Sequence, residues 1–198
     1  LLQGPKPPSR VILLGPAHRV YLQGLAVPSV DYFSTPLGDI PLDRPFIERA
    51  LELPGVTVSD HAHELEHSLE VQLPFLQHVL LQFTLVPVVV GDSPAGEVAA
   101  LIDTLWGGPE TVIIVSTDLS HFQDYPTAEA HDKNTCERIL LGDTSLQGGD
   151  ACGSAPLNGL LHSERGGRLQ RELLARCNSG DSNGDRERVV GYGAFAFY

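Results

Sequence analysis

Apolar runs typical of buried strands alternate along the chain with segments of helical periodicity. The clearest run lies in residues 111–122, TVIIVSTDLSHF, where VIIV breaks abruptly into polar residues. A β-branched run without alternation indicates a central parallel strand that is buried on both faces. Further strands are predicted in residues 10–14, 56–58, 83–90, 173–177 and 189–198, with short strand-like pieces in residues 22–42.

Helices are predicted between these strands. Asp43 can cap a helix that has Pro45 near its first turn. Further helices are predicted from the GDSP segment at residues 91–94 to Leu105, over residues 128–141, and from Pro156 onward. The alternation of strands and helices predicts one domain over residues 1–198, a three-layer α/β/α fold with a largely parallel central sheet.

The most polar cluster, residues 60–67 (DHAHELEH), runs directly into an apolar segment. Leucines recur there at helical spacing, at positions 65, 69, 73, 76 and 80. This spacing predicts an amphipathic helix that bends or restarts near Pro74.

Polar side chains follow two of the predicted strands where each strand ends. Asp118 and His121 follow the run at 111–115, and His18 follows residues 10–14 in the sequence GPAH. Ligand sites of open α/β sheets lie beyond the carboxyl ends of the strands. Taken singly, each histidine is equally compatible with a solvated loop residue, and Asp118 with a helix cap. Together with His67 and Cys152, the two histidines are expected to line one cleft at that edge.

Three cysteines, Cys136, Cys152 and Cys177, form an odd set without the spacing of a disulfide framework, which favours a reduced, cytoplasmic protein. Cys152 lies just before a predicted helix start, where backbone N–H groups and the helix dipole favour a thiolate. A thiolate is both a nucleophile and a soft metal ligand. Cys136 and Cys177 are interpreted as packing residues.

Composition narrows the possible partners. With 42% hydrophobic residues, the 198-residue chain can bury one core, and its net charge of −12 argues against nucleic acids and anionic membrane surfaces as partners. No run approaches the ~18 apolar residues of a membrane span. The chain has no Met and opens as LLQGPKPPSR, a loop-like sequence, so we expect further residues ahead of Leu1.

Two short motifs suggest other chemistries. His63 to His67 reads HELEH and fits the H-E-x-x-H pattern of zinc peptidases, although no third ligand is evident. Residues 181–185 (DSNGD) approach a calcium loop, but Arg186 and Tyr192 occupy the positions that require Gly and Glu. A zinc peptidase therefore stays a minor alternative, and a tight turn is the better interpretation of the second motif.

Several motifs, in order along the chain from about Arg10 to the carboxyl terminus, resemble the Memo family, which is protein B of the AmmeMemoRadiSam system. They are GPAH, EHSLEVQLPFL, PVVVG, STDLSHF, DACGSAPLNGLL, and NSGD followed by RVVGYGAFAF. Memo proteins are similar in fold to the class III extradiol dioxygenases, whose single iron is held by two histidines and a carboxylate.

The resemblance implies a role for five residues. His18 and Cys152 match metal-binding positions, His67 and His121 match acid/base or substrate groups, and Asp118 matches the acid beside them. The family's first metal histidine lies in a Pro-His-Ala-Gly-type motif that is expected ahead of Leu1. Because a thiolate replaces the carboxylate, the ligand set is soft; iron or copper is the expected cofactor, and zinc is also compatible.

Two functions from different classes follow. The first is a metal-dependent oxidoreductase that acts with O₂, or a reduced oxygen species, on an unknown small molecule or partner side chain. The second is a non-catalytic module that binds a peptide or another AmmeMemoRadiSam protein in the same cleft. Metal content and O₂ consumption separate the two.

Overall fold

A computed structural model describes residues 7–198 of the chain. The strands are β1 (Arg10–Pro16), β2 (Leu25–Val27), β3 (Tyr32–Thr35), β4 (Gly38–Pro41), β5 (Val56–Val58), β6 (Thr84–Val90), β7 (Thr111–Val115), β8 (His121–Gln123), β9 (Arg171–Asn178) and β10 (Val189–Phe197). The helices are α1 (Arg44–Leu51), α2 (Asp60–Glu64), α3 (His67–Glu70), α4 (Leu73–Val79), α5 (Ala95–Leu105), α6 (Tyr125–Leu141), α7 (Ser154–His162) and α8 (Gly180–Asn183), with a 3₁₀ turn at Gly166–Arg168.

The central sheet has the strand order β5-β2-β6-β1-β7. Strand β1 runs parallel to both β6 and β7, and β2 runs parallel to β5 but antiparallel to β6. Helices flank the sheet: α3 and α7 both pack against β1, and α5 packs against α1 and α7. The predicted three-layer α/β/α fold with a largely parallel sheet is confirmed. Residues 11–14 of β1 are fully buried, which explains their continuous apolar run.

A second, antiparallel sheet was not predicted. It has the order β8-β10-β9 and packs against α6 through β9 and β10. Its strand β8 covers residues 121–123, directly after the polar segment that follows β7. Pairing between β8 and β10 joins residues that are far apart in sequence, and local patterns carry no signal of such pairing.

The start of α1 is as predicted. The Asp43 side chain accepts a hydrogen bond from the N–H of Phe46, and Pro45 lies in the first turn. Helix α7, in contrast, begins at Ser154, so that Pro156 is its third residue rather than its first.

The amphipathic helix predicted here restarts near Pro74 as expected, because α4 begins at Leu73, but the further break ahead of α3 was not predicted, and residues 60–79 hold three short helices, α2, α3 and α4. Glu66 lies between α2 and α3 and caps α3 through the N–H of Ser68, while Pro74 lies in the first turn of α4. Leu65 is 72% exposed and does not belong to the apolar face. Among residues 7–198, no helix is long and apolar enough to cross a membrane.

Candidate metal centre

The polar residues predicted as a site lie at one edge of the central sheet. Strands β1 and β7 are parallel neighbours that end at Pro16 and Val115, so the segments after them leave the sheet at the same edge. His18 follows β1, and Asp118 follows β7. The residues at this edge form two groups of ligand-type side chains, and in each group the ligand atoms lie within 4.8 Å of one another.

The first group consists of His18, Glu66 and His67. The two imidazole rings stack with centroids 5.0 Å apart. One Glu66 oxygen accepts the backbone N–H of His18, and the other lies 3.0 Å from Nδ1 of His18 and 2.9 Å from the N–H of Ser68. The same oxygen is 3.6 Å from Nδ1 of His67, beyond hydrogen-bond distance.

Glu66 is a buried carboxylate, only 5% exposed. Burial works against its ionisation, but the hydrogen bonds from the N–H groups of His18 and Ser68 and from the His18 ring outweigh burial and lower its pKa from 4.5 to about 2. The carboxylate is therefore ionised at neutral pH beneath His18.

The second group consists of Asp118, His121 and Cys152, all partly exposed. Nε2 of His121 is 3.5 Å from a carboxylate oxygen of Asp118. Sγ of Cys152 accepts a hydrogen bond from the N–H of Asp118 at 3.2 Å, and the N–H of Cys152 donates to the Asp118 carbonyl at 3.2 Å. This reciprocal pair fixes the thiol against the segment that carries Asp118 and His121.

Gly153 permits this close approach of the two segments. A Cβ atom at Gly153 would lie 2.6 Å from the Ser116 carbonyl oxygen and 2.6 Å from Thr117 Cβ, so any side chain would push the segments apart. The N–H of Gly153 also donates to the Thr117 hydroxyl at 2.7 Å. Only glycine keeps Cys152 within reach of Asp118.

The backbone after β7 is strained. Phe122 has φ of 60°, the only positive φ of a non-glycine residue in the described part of the chain. It lies between His121 and Gln123 on β8, and the partner strand β10 shifts register between Val189 and Val190. Strain of this kind clusters at functional sites. Asp118 does not cap a helix here, since the chain continues into β8 and Asp124 caps α6.

Helix α6 supports both segments of the second group from behind. Asp132 is fully buried, and its carboxylate accepts the N–H of Ser120 at 2.9 Å. A Cβ atom at Gly191 would overlap the Asp132 carboxylate, so any side chain at this position would prevent β10 from packing this close to α6. His131 contacts Asp150, two residues before Cys152, with Nε2 3.2 Å from its carboxylate.

An open cavity of about 210 Å³ lies beside the end of β1, and its lining includes Pro16, Ala17, Cys152 and Ala155. Ala17, the residue before His18, thus lines the same cavity as Cys152, which is the only predicted site residue in that lining. A larger cavity of about 580 Å³ lies beside the β3–β4 hairpin, but no predicted site residue lines it. Of these two cavities, the smaller is the one lined by a predicted site residue, Cys152.

The donor sets fit a metal ion. Typical metal–ligand distances of about 2.0–2.3 Å allow two ligands of one ion to be at most about 4.6 Å apart, close to the spread within each group. His18 and Cys152, the two metal positions implied by the resemblance, fall into different groups. Imidazole, thiolate and carboxylate together suit iron, copper or zinc.

His63 does not join either group. Its Nε2 is 3.1 Å from the Ala26 carbonyl, its ring packs edge-on against Phe33, and burial lowers its pKa. It lies on α2, whereas His67 begins α3, so HELEH does not form one helix with two imidazoles on one face. The geometry that a zinc peptidase needs is absent from this segment.

One other expectation needs revision, and one residue was missed. Cys177 is exposed on β9 rather than a packing residue, whereas Cys136 is buried, with a pKa raised by burial to about 11. Sequence reasoning also missed Glu66, which looks like one acid among several in residues 60–70. Its contact with His18, 48 positions away, has no sequence signal beyond its place beside His67.

Comparison with known proteins identifies the family. A family model described as Memo-like protein matches residues 1–196. A MEMO1 family protein of Methanosarcina barkeri is 37% identical over 199 residues, covering 92% of this chain and 74% of that protein. A MEMO1 family protein of Methanopyrus kandleri is 34% identical over 205 residues, covering 96% and 72%.

The fold has a counterpart among solved structures. The crystal structure of an uncharacterized protein from Escherichia coli K12 matches 94% of this chain and 86% of that chain, with a TM-score of 0.61 and 16% identity. At this identity the likeness concerns the fold alone. The family model and the archaeal relatives show that the chain belongs to the Memo-like family.

Proposed function

We propose that this Memo-like protein is a metal-dependent oxidoreductase, with iron or copper as the metal and a small molecule or peptide side chain as substrate. The observation that carries the proposal is the pair of ligand groups at the ends of β1 and β7, each with ligand atoms within 4.8 Å. His18 and Cys152 are the proposed metal ligands; Cys152 lines the small cavity, as does Ala17, the residue before His18. A bound redox metal would supply electron transfer to O₂ or a reduced oxygen species.

The remaining residues handle protons. His121 is close enough to Asp118 for the carboxylate to orient its ring and to stabilise the imidazolium form. His67 stacks on His18, and its ring is half exposed, so it can exchange protons with solvent or substrate. Imidazole suits this role because its unperturbed pKa is near neutrality.

Oxygen uptake tests the proposal. The full-length protein is loaded anaerobically with Fe(II), Cu(I) or Zn(II), and O₂ consumption is followed through a single turnover. Uptake in proportion to bound Fe(II) or Cu(I), and none with redox-inert Zn(II), is the expected result. His18→Ala should abolish the uptake, whereas His162→Ala, at an exposed histidine at the far end of α7, should not change it.

Binding of Fe(II) and Cu(I) without O₂ uptake by either metal would contradict the oxidoreductase. The cleft would then serve as a binding module for a peptide or for a partner of the AmmeMemoRadiSam set.

A further inference from the structure

Glu66 differs from the other acidic residues around it. Asp60, Glu64 and Glu70 are exposed, whereas Glu66 is buried beneath the ring of His18. Its carboxylate joins the end of β1 to the start of α3. Ser68 strengthens the same junction, because its hydroxyl donates to the Pro16 carbonyl at 2.9 Å.

The hydrogen bonds of Glu66 go beyond what a helix cap requires. Capping of α3 uses one contact, from the N–H of Ser68. The other contacts go to His18, whose backbone N–H and ring nitrogen Nδ1 both face the carboxylate. Each oxygen of Glu66 accepts a backbone N–H, one from His18 and one from Ser68, so the carboxylate also faces Nδ1 of His18 as an acceptor, and Nδ1 carries the proton. The lone pair of a neutral His18 ring is therefore on Nε2.

We propose that Glu66 is a positioning residue that holds His18 in the Nδ1–H tautomer and at a fixed ring angle, so that Nε2 is presented as the metal ligand. The inference rests on the proposed role of His18 as a metal ligand. Carboxylates that orient a ligating histidine in this way raise its basicity, and their loss costs about 10–100-fold in metal affinity.

The matched pair Glu66→Gln and Glu64→Gln tests this inference. Both substitutions remove one negative charge from the same segment, but the Glu64 side chain is 71% exposed and has only a loose contact with His61, at 3.7 Å. Glutamine at position 66 has one oxygen instead of two. Its amide N–H₂ group must therefore face either the backbone N–H of His18 or the N–H groups of His18 Nδ1 and Ser68, and the set of contacts that fixes the His18 ring is lost.

Two readouts are needed. Proton–nitrogen correlation spectra of the metal-free, nitrogen-labelled full-length protein report the tautomer of His18, whose signals are assigned by their loss in His18→Gln. Competition with a chromophoric chelator reports the affinity for Fe(II) and Zn(II). We expect the Nδ1–H tautomer in the wild type and in Glu64→Gln, its loss in Glu66→Gln, and metal affinity lower by about 10–100-fold in Glu66→Gln alone.

A role confined to capping α3 predicts a different pattern, in which Glu66→Gln lowers the melting temperature but leaves tautomer and affinity unchanged. That pattern, or an Nε2–H tautomer in the wild type, would overturn the proposal. A wild-type protein that binds no metal would end the proposed function, but the tautomer in the metal-free protein would still decide the role of Glu66.

Glu66→Asp provides the same test if Glu66→Gln does not fold. Aspartate remains a good cap for Ser68 but is one methylene too short to reach His18 as well. It should fold, lose the Nδ1–H tautomer and bind metal more weakly; an unchanged tautomer and affinity would count against the positioning role.

Discussion

The two ends of β1, β6 and β7 carry polar side chains of opposite character. At the amino-terminal ends, Arg10 lies between two acids. Its Nε is 2.7 Å from Oδ2 of Asp43, and its Nη1 is 3.0 Å from Oε1 of Glu110. Thr84 donates to the same oxygen of Asp43, and Thr111 accepts from Arg10. Each charge there has a permanent partner of opposite sign.

At the carboxyl-terminal ends, the acids face histidines and a thiol. Among the described residues, the ion-pair partners of Glu66 and Asp118 are histidines, not lysines or arginines. Hydrogen bonds fix the positions of these groups but supply no permanent positive charge. At one edge of the sheet the charges are thus paired and stabilise the fold, whereas the other edge carries ligand-type groups that we propose bind a metal ion.

Cys152→Ser should give the largest effect on metal affinity at the proposed metal-binding edge. A hydroxyl is a far poorer ligand for a soft metal than a thiolate, so affinity for Cu(I) and Zn(II) should fall by about 100-fold or more, beyond the loss expected for an outer partner. Chelator competition measures the change. Because the thiol is partly exposed, the free energy of unfolding should change little.

Thiol labelling gives an independent test of Cys152. In a Cys177→Ser background, which removes the exposed thiol, Cys152 should label quickly after chelation and slowly once metal is returned, while buried Cys136 stays inert. Equal labelling of Cys152 with and without metal would identify it as a structural residue.

Arg10→Met should give the largest effect on stability at the opposite edge. The substitution leaves Asp43, which is 8% exposed, without its charged partner, and we expect a loss of about 2–3 kcal/mol in the free energy of unfolding. Arg168→Met is the control, since the pair of Arg168 with Glu164 is exposed and contributes at most about 1 kcal/mol. Denaturant titration measures both, and metal affinity should not change in either variant.

The pH dependence of stability should follow the same ion pair. Burial raises the pKa of Asp43, but hydrogen bonds from Arg10, Thr84 and the Phe46 N–H outweigh burial and hold it below 3.8. An acid with a lowered pKa stabilises the fold above its unfolded pKa, and this stabilisation is lost as the pH falls through the folded pKa. The stability difference between wild type and Arg10→Met should therefore shrink below pH 3.8, and a constant difference would argue against this origin.

His63→Ala should give the smallest effect. Its ring bonds to the Ala26 carbonyl and packs on Phe33, so we expect a stability loss of about 1 kcal/mol and unchanged metal content. His67→Ala, measured in parallel, shows how much the metal content depends on a histidine next to His18. A loss of metal in His63→Ala equal to that in His67→Ala would revive the zinc peptidase hypothesis.

The strands and their polar ends could be predicted because they depend on local pattern. A few neighbouring residues are enough to recognise the run at 111–115, the polar residues after it and the Asp43 cap. The break ahead of α3 is different: Pro74 predicted the restart at α4, but leucine spacing favoured a continuous helix before it, whereas Glu66 turns inward to His18 and caps a new helix. No local pattern encodes a partner 48 residues away.

The antiparallel sheet and the support from α6 were missed for the same reason. Strand β8 is three residues long and gains its structure from β10, nearly seventy residues later. Asp132 reads as an ordinary helical acid, and only packing against Ser120 and Gly191 reveals that it is buried. Sequence therefore predicted the edge of the sheet where the candidate site lies, but not the residues that support the segments around it.

Metal content decides the central contrast between the two edges most directly. The full-length protein is purified anaerobically as wild type, as the double variant His18→Ala/Cys152→Ser, and as Arg10→Met, and each is subjected to elemental analysis. Stoichiometric iron or copper in the wild type and Arg10→Met, and its loss in the double variant, is the predicted result. A wild type without metal, or a double variant that retains it, would contradict a metal site at the carboxyl-terminal edge.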